Sequence, residues 1–358
     1  MRSYLKQLVT LVTLILLTNC DPKDDAPEGN DPVIYFPPAT TSWETVNTAE
    51  LAWNEEAIAT LSEYLATTNT KAFILLKDGK IAIEEYFQDT SPTDNLPWFS
   101  AAKTFTALLT GIAEEEGLLS IREASNNHLD LAWTSLTLEQ ESSIQIINHL
   151  TMTTGLDDRV ADPNCTDPDC LKFLTTPNNR WAYHNGPYTK LGDVIASVSG
   201  ESYNNFTANR VLDKVGMQGT WLKFGFNNIF VSNARSMARF GLLLLNKGTW
   251  QDDPILSNDA YFSAMTNSTQ SLNPAYGYLT WLNGKSSFKI PGLQTSFNGS
   301  ITPNAPPDMF AAMGRNGQLI NVVPSLGVVM IRMGDNPQND LVPFTYQDEL
   351  WKRLIDIF

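Results

Sequence analysis

The sequence predicts an α/β fold of the α+β type: an antiparallel sheet built from both chain ends and flanked by helices, with a mainly helical region inserted. Three observations lead there. Two apolar, strand-like runs at 72–77 and 80–87 flank Asp78-Gly79, a pair that favours a tight hairpin. Strand-like segments return at 276–282, 309–313, 319–323 and 328–333. Between them, from about 120 to 265, the pattern is one of helices and loops. Strands at both ends with a helical middle imply one layer assembled from the two termini.

Taken in order, the chain begins with Arg2 and Lys6 followed by an apolar run over 8–17, too short to span a bilayer comfortably and laid out as a secretory signal, residues 1–19. The run ends Leu17-Thr18-Asn19-Cys20, which resembles the lipobox of bacterial lipoproteins and implies cleavage before a lipidated Cys20. Asn19 stands where that box usually has a small residue. Residues 20–45 are rich in Pro, Asp, Thr and Gly and read as a tether. Asp21-Pro22-Lys23-Asp24-Asp25 resembles the surface-export signal of some Gram-negative lipoproteins, with a solvated acidic tether as the other reading. The expected location is the bacterial cell envelope, held to the outer membrane by lipid, on its periplasmic or surface face.

The folded domain is expected over 46–358. Residues 51–65 read as a helix, the hairpin follows, and from Ala101 the apolar residues Phe105, Leu108, Leu109 and Ile112 recur at helical spacing up to Gly117. Further helices are read at 191–198, 203–215 and 234–245, and the chain closes with one at 348–358. At 358 residues and 42% hydrophobic the chain can bury a large core. Loss of 1–19 removes two bases and no acid, so the net charge moves from −15 to −17 and nucleic acid is excluded as a partner. With Cys20 acylated, Cys165 and Cys170 remain, an even pair expected to form a disulfide in an exported chain. The acids around them, Asp157, Asp158, Asp162, Asp167 and Asp169, lack EF-hand spacing and read as a solvated loop, with no metal.

A hydroxyl is a poor nucleophile at neutral pH unless a neighbouring base takes its proton. The three histidines, His128, His149 and His184, come with no Gly-x-Ser-x-Gly elbow, so a Ser-His-Asp arrangement has little support. Lysine can serve instead when burial lowers its pKa. Ser100-Ala101-Ala102-Lys103 sets the two side chains one helical turn apart on the same face, at a helix N-terminus that favours developing negative charge. With 24 serines and 14 lysines, about one Ser-x-x-Lys arises by accident, so context must decide among the three present. Ser3–Lys6 lies in the signal and Ser286–Lys289 in a polar turn beside a strand; Ser100–Lys103 alone opens an amphipathic helix behind a hairpin. An N-cap serine with a surface lysine is the competing reading.

The order of motifs resembles that of the class C β-lactamase-like serine hydrolases, which share a fold with the DD-peptidase penicillin-binding proteins. There Ser-x-x-Lys is followed by Tyr-x-Asn, here Tyr183-His184-Asn185 within the run 180–188. The resemblance implies Ser100 as nucleophile, Lys103 and Tyr183 as its proton partners and Asn185 as a hydrogen-bonding contact to substrate. It also implies the main-chain N–H groups of Ser100 and Arg315 as an oxyanion hole, with Gly314 standing where the third motif has its glycine. Ala312 stands where the family has a Lys or His, a departure that removes a cation which would hold a carboxylate. His149 matches a packing position. The altered third motif and the sequence Gly314-Arg315-Asn316-Gly317-Gln318 resemble the branch of family VIII esterases and 6-aminohexanoate-dimer hydrolases. The expectation is an ester- or amide-cleaving serine hydrolase that needs no cofactor and acts on a small molecule. A β-lactamase or D-amino-acid peptidase, and a penicillin-binding sensor that acylates without turnover, are the alternatives.

Overall fold

The computed structural model describes residues 33–40, 42–337 and 342–358. The signal at 1–19, Cys20 and the tether up to 32 lie outside the described residues. The tether reading ran to residue 45, but the domain begins at Ile34. Tyr35 N–H donates to the Asp78 carbonyl, Trp43 Nε1 donates to the Gly79 carbonyl, and Thr45 bridges Ile81 in parallel. Low periodicity hid these contacts because an edge segment binds through its backbone, and backbone hydrogen bonds leave no side-chain pattern.

Helix α1 (Glu55–Thr67) starts where Asn54 accepts from the N–H groups of Glu56 and Ala57, with two acids in its first turn. Strands β1 (Thr70–Lys77) and β2 (Lys80–Tyr86) form the hairpin read from Asp78-Gly79. The two-residue strand β3 (Leu96–Pro97) leads to α2 (Ala102–Glu115), in which every residue from 102 to 113 is buried. Short helices α3 (Leu138–Ser142) and α4 (Ile146–Leu150) precede α5 (Asn185–Ser199), which ends on Gly200 in the left-handed region. Then α6 (Tyr203–Thr207) runs through a π turn into α7 (Asp213–Val215).

The middle of the chain departs here from its reading as helices and loops. Strands β4 (Thr220–Phe224) and β5 (Asn227–Ser232) form a hairpin whose partner is β3, in the order β3-β5-β4. Helix α8 (Ala234–Leu245) follows, then the small hairpin of β6 (Thr249–Trp250) and β7 (Asp253–Pro254), then α9 (Asp259–Thr266). The run read as a strand over 276–282 is a strand only at β8 (Trp281–Leu282), since a bridge from Tyr276 back to Trp281 folds the rest into a turn. After the hairpin of β9 (Ser287–Phe288) and β10 (Phe297–Asn298), the sheet resumes with β11 (Phe310–Gly314), β12 (Gln318–Val323) and β13 (Val328–Gly334). Helix α10 (Phe344–Leu354) closes the fold.

The main sheet is antiparallel in the order β2-β1-β13-β12-β11-β8, so the first hairpin joins strands from the chain's end as expected. Strands β11, β12 and β13 are buried along their whole length because both faces are covered. At Gly241 of α8 an added Cβ would meet Val329 and Ile320 side chains, whereas Asn321, the next residue of β12, bonds Gln347 and Trp351 of α10. Successive strand residues point to opposite faces, so α8 and α10 cover the two sides. Burying one large apolar side chain such as Phe105 or Phe240 contributes roughly 1.5–3 kcal/mol, which fixes α2 and α8 against the sheet that presents the site.

Candidate active site

The segment that carries Ser100 is held on both sides before it turns. Trp98 is fully buried, donates its backbone N–H to the Phe230 carbonyl at 2.9 Å, and donates Nε1–H to Ser232 Oγ at 2.8 Å. Phe99 then takes φ of 49°, a left-handed conformation costly for a bulky residue and sustained by those neighbours. The turn delivers Ser100 to the start of α2 and into a cavity of about 360 Å³. That cavity is also lined by Lys103, Asn164, Asn185, Tyr188, Arg315 and the β4–β5 hairpin at Phe224 and Asn227–Ile229.

Lys103 is 3% exposed and its Nζ donates to Ser100 Oγ at 3.1 Å. It forms no ion pair with any described residue; its Nζ instead lies 4.8 Å from the Tyr183 ring centroid and 4.2 Å from that of Tyr188. Aromatic faces compensate a cation far less than a carboxylate does. Burial therefore pulls the Lys103 pKa down to about 7. Burial pushes the Tyr183 phenol the other way, above the ordinary tyrosine range, with the neighbouring Ser100 hydroxyl opposing it weakly. The pair thus consists of an amine able to shed its proton near neutrality and a phenol that keeps its own. No hydrogen bond to the Tyr183 hydroxyl closes among the described residues. Tyr188 is anchored instead, its hydroxyl 3.2 Å from Thr106 Oγ1, which also meets Tyr203.

None of the histidines lines this cavity. His149 is the satisfied packing residue that the motif order implied: its Nδ1–H donates to the Pro187 carbonyl at 2.7 Å, so Nε2 accepts from Ser125 Oγ at 2.8 Å. Gly314 explains itself by closeness, since a Cβ there would lie 2.3 Å from the Trp98 carbonyl oxygen and 2.9 Å from the Ala101 nitrogen. The end of β11 is thereby pressed against the nucleophile turn, with Arg315 at the cavity wall. The loop just beyond β11, with Asn316 at φ of 66°, is fixed from behind: Arg332, fully buried, donates to the carbonyls of Asn316 and Gly317. Ala312 is buried and does not line the cavity.

Ser100, Lys103, Asn185 and Arg315 therefore meet at one cavity, with Tyr183 beneath it and Gly314 behind it. Cys165 and Cys170 are disulfide-bonded, and their loop supplies Asn164 to the wall. Sequence reasoning missed Tyr188, Asn164 and the β4–β5 hairpin. Tyr188 stands one turn after Asn185 on α5, so helical spacing carried that signal; the hairpin's was the turn at Gly225 between two short alternating runs. A larger cavity, about 450 Å³ between Leu244, Phe262, Leu282 and Pro324, holds none of these residues, so chemistry and not size selects the site.

The beta-lactamase family profile matches residues 59–333, from α1 to the end of β13. The chain belongs to the beta-lactamase family. Solved structures share its fold at low identity. A candidate 6-aminohexanoate-dimer hydrolase from Bacillus anthracis superposes with a TM-score of 0.66 at 18% identity, covering 90% of this chain and 89% of that one. A candidate beta-lactamase from Bacteroides dorei gives 0.67 at 13% over 85% and 99% of the two chains. A penicillin-binding protein homologue from Caulobacter crescentus gives 0.63 at 14% over 84% and 95%. A search of curated proteins gives no match. Membership of this serine-hydrolase superfamily accords with the antiparallel sheet and its helical insertion.

Proposed function

We propose that this beta-lactamase-family chain is a serine hydrolase that cleaves an ester or amide bond through an acyl-enzyme on Ser100. The observation that carries the reading is Lys103: buried, without a counter-ion among the described residues, its pKa pulled down to about 7, and 3.1 Å from the serine hydroxyl. Ser100 Oγ attacks the carbonyl as its proton passes to the Lys103 amine. The main-chain N–H groups of Ser100 and Arg315 receive the negative oxygen, a term usually worth about 3 kcal/mol per donor. The protonated lysine then returns the proton to the leaving group through the Tyr183 hydroxyl, and water releases the acyl group. No cofactor enters these steps.

An uncharged ester or amide is favoured over a carboxylated β-lactam because Ala312 supplies no cation at the third motif and is itself buried, Arg315 on the cavity wall being the substitute charge that efficient cephalosporin turnover would reveal. A β-lactamase, a D-amino-acid peptidase and a sensor that acylates without turnover are the competing outcomes. Initial rates on short p-nitrophenyl esters, the matching anilides, a chromogenic cephalosporin and a D-Ala-D-Ala peptide test the reading. Esters or anilides turned over with the highest kcat/KM, and lost in Ser100→Ala, support it; turnover of cephalosporin or peptide above both, or a stable adduct without turnover, overturns it. The chain is further proposed to act in the bacterial cell envelope, held by lipid on Cys20, which detergent partitioning of a Cys20→Ser variant tests.

A further inference from the structure

Arg332 stands on β13, fully buried and in no ion pair among the described residues; the nearby Asp335 carboxylate pairs with Lys71 at 2.9 Å instead. A buried cation without a carboxylate is costly to keep unless its donors are filled in another way. Arg332 fills them almost wholly with main-chain oxygens. Its Nη1 donates to the carbonyls of Asn316 (2.6 Å) and Gly317 (3.0 Å), and its Nη2 to those of Thr68 (2.7 Å) and Asp335 (3.1 Å). Its Nε donates to Thr70 Oγ1 at 3.3 Å. The guanidinium lies over the ring of buried Tyr346, 5.0 Å from its centroid. A planar fork suits this task, because it reaches several acceptors at once from one rigid group.

The two carbonyls on Nη1 belong to the turn that joins β11 to β12. Asn316 and Gly317 both take left-handed φ there, 66° and 71°, and a Cβ on Gly317 would lie 2.6 Å from Arg332 Nη1. Asn-Gly favours that conformation, but the place of the turn in the molecule is set by the guanidinium behind it. At its other end, Gly314 is packed against the Trp98 carbonyl and the Ala101 nitrogen. The peptide between Gly314 and Arg315 is therefore held between the nucleophile turn and Arg332. We propose that Arg332 is a positioning residue: by gripping the Asn316 and Gly317 carbonyls it fixes where the Arg315 N–H lies relative to Ser100. The inference rests on the reading of Ser100 as nucleophile with the Arg315 N–H as an oxyanion donor, and it names what holds that donor still.

Sulfur in place of the substrate's carbonyl oxygen weakens the hydrogen bonds to the developing anion and leaves the nucleophile and the leaving group unchanged. The ratio of kcat/KM for p-nitrophenyl acetate to that for p-nitrophenyl thionoacetate therefore reads the oxyanion donors. Wild-type protein is expected to favour the oxygen ester by about a hundredfold or more, the scale on which a placed donor acts. In Arg332→Lys, a point donor in place of the fork, the ratio falls by about tenfold or more. Arg332→Gln, which leaves no buried charge, shows the same fall and serves where the lysine variant does not fold. Val211→Ala, in the buried core of the helical region, lowers the thermal midpoint without touching the turn and keeps the wild-type ratio. A wild-type ratio near one, an unchanged ratio in a folded Arg332 variant, or an equal fall in Val211→Ala overturns the proposal. Covalent labelling by a fluorophosphonate separates the two levels. An unchanged ratio with Ser100 still labelled removes the positioning role only, whereas no labelling and no turnover of either ester removes the hydrolase reading and the inference with it.

Discussion

At the scale of the residue, the site depends on one lysine kept short of charge compensation. Lys103 reaches Ser100 Oγ at 3.1 Å, while two tyrosine rings, and no carboxylate among the described residues, surround its ammonium. With its pKa pulled down to about 7 by burial, the free amine is the working form. kcat/KM should therefore fall as pH drops below about 7, by about tenfold per unit once well below it, and level off above about 8. Stability follows a matching sign. The unfolded lysine holds its proton up to the ordinary value of 10.5 and the folded one only to about 7, so the unfolded chain binds more protons between those limits. The stability attributable to this residue rises with pH across that window and is lowest below pH 7. Lys103→Met should raise the thermal midpoint more at pH 6 than at pH 10; an equal effect at both, or a rate without an inflection near neutrality, would place the base elsewhere.

At the scale of the element, the close approach of β11 to the turn before α2 makes the constellation possible. Gly314→Ala should force the Trp98 carbonyl and the strand apart, since their separation leaves no room for a methyl group. Overpacking of this kind costs about 1–3 kcal/mol, and a displacement near 1 Å at the reacting atoms can cost on the order of a hundredfold in rate. The expected variant is folded by circular dichroism, modestly less stable, and slower by tenfold or more on any substrate the wild type turns over; a wild-type rate would show that this contact does not position the oxyanion donors. These elements were legible to different degrees. The β1–β2 hairpin and α2 announced themselves through Asp78-Gly79 and the spacing of Phe105, Leu108, Leu109 and Ile112, because their side chains pack at fixed periods. The β4–β5 hairpin was hidden inside the stretch read as helices and loops, because β4 is only five residues long and carries exposed residues such as Leu222 and Phe224, and its partner β3 is only two residues long. Tertiary contact, not local pattern, also decides that residues 34–45 join the domain and that Asn164 reaches Asn185.

At the scale of the whole molecule, both chain ends enter one sheet, with β1 and β13 side by side, and the inserted helical region brings Asn185 to the wall of the cavity that holds the serine. The order of motifs in the sequence was a guide because this topology requires it: each motif sits at the end or edge of an element that faces the same cavity. Charge belongs to this scale too. With the proposed removal of residues 1–19 the net charge moves from −15 to −17, which offers little attraction to nucleic acid or to anionic lipid, so the proposed membrane residence would depend on the lipid at Cys20. Cys20→Ser should move the protein from the detergent phase to the aqueous phase or leave it unprocessed, and unchanged partitioning would remove the anchor. The account as a whole turns on Ser100. Intact-mass measurement after incubation with a fluorophosphonate, followed by peptide mapping, should show a single adduct located on Ser100 in the wild type and none in Ser100→Ala, with Ser286→Ala labelled as the wild type is. An adduct on any other residue, or labelling that survives in Ser100→Ala, would contradict it.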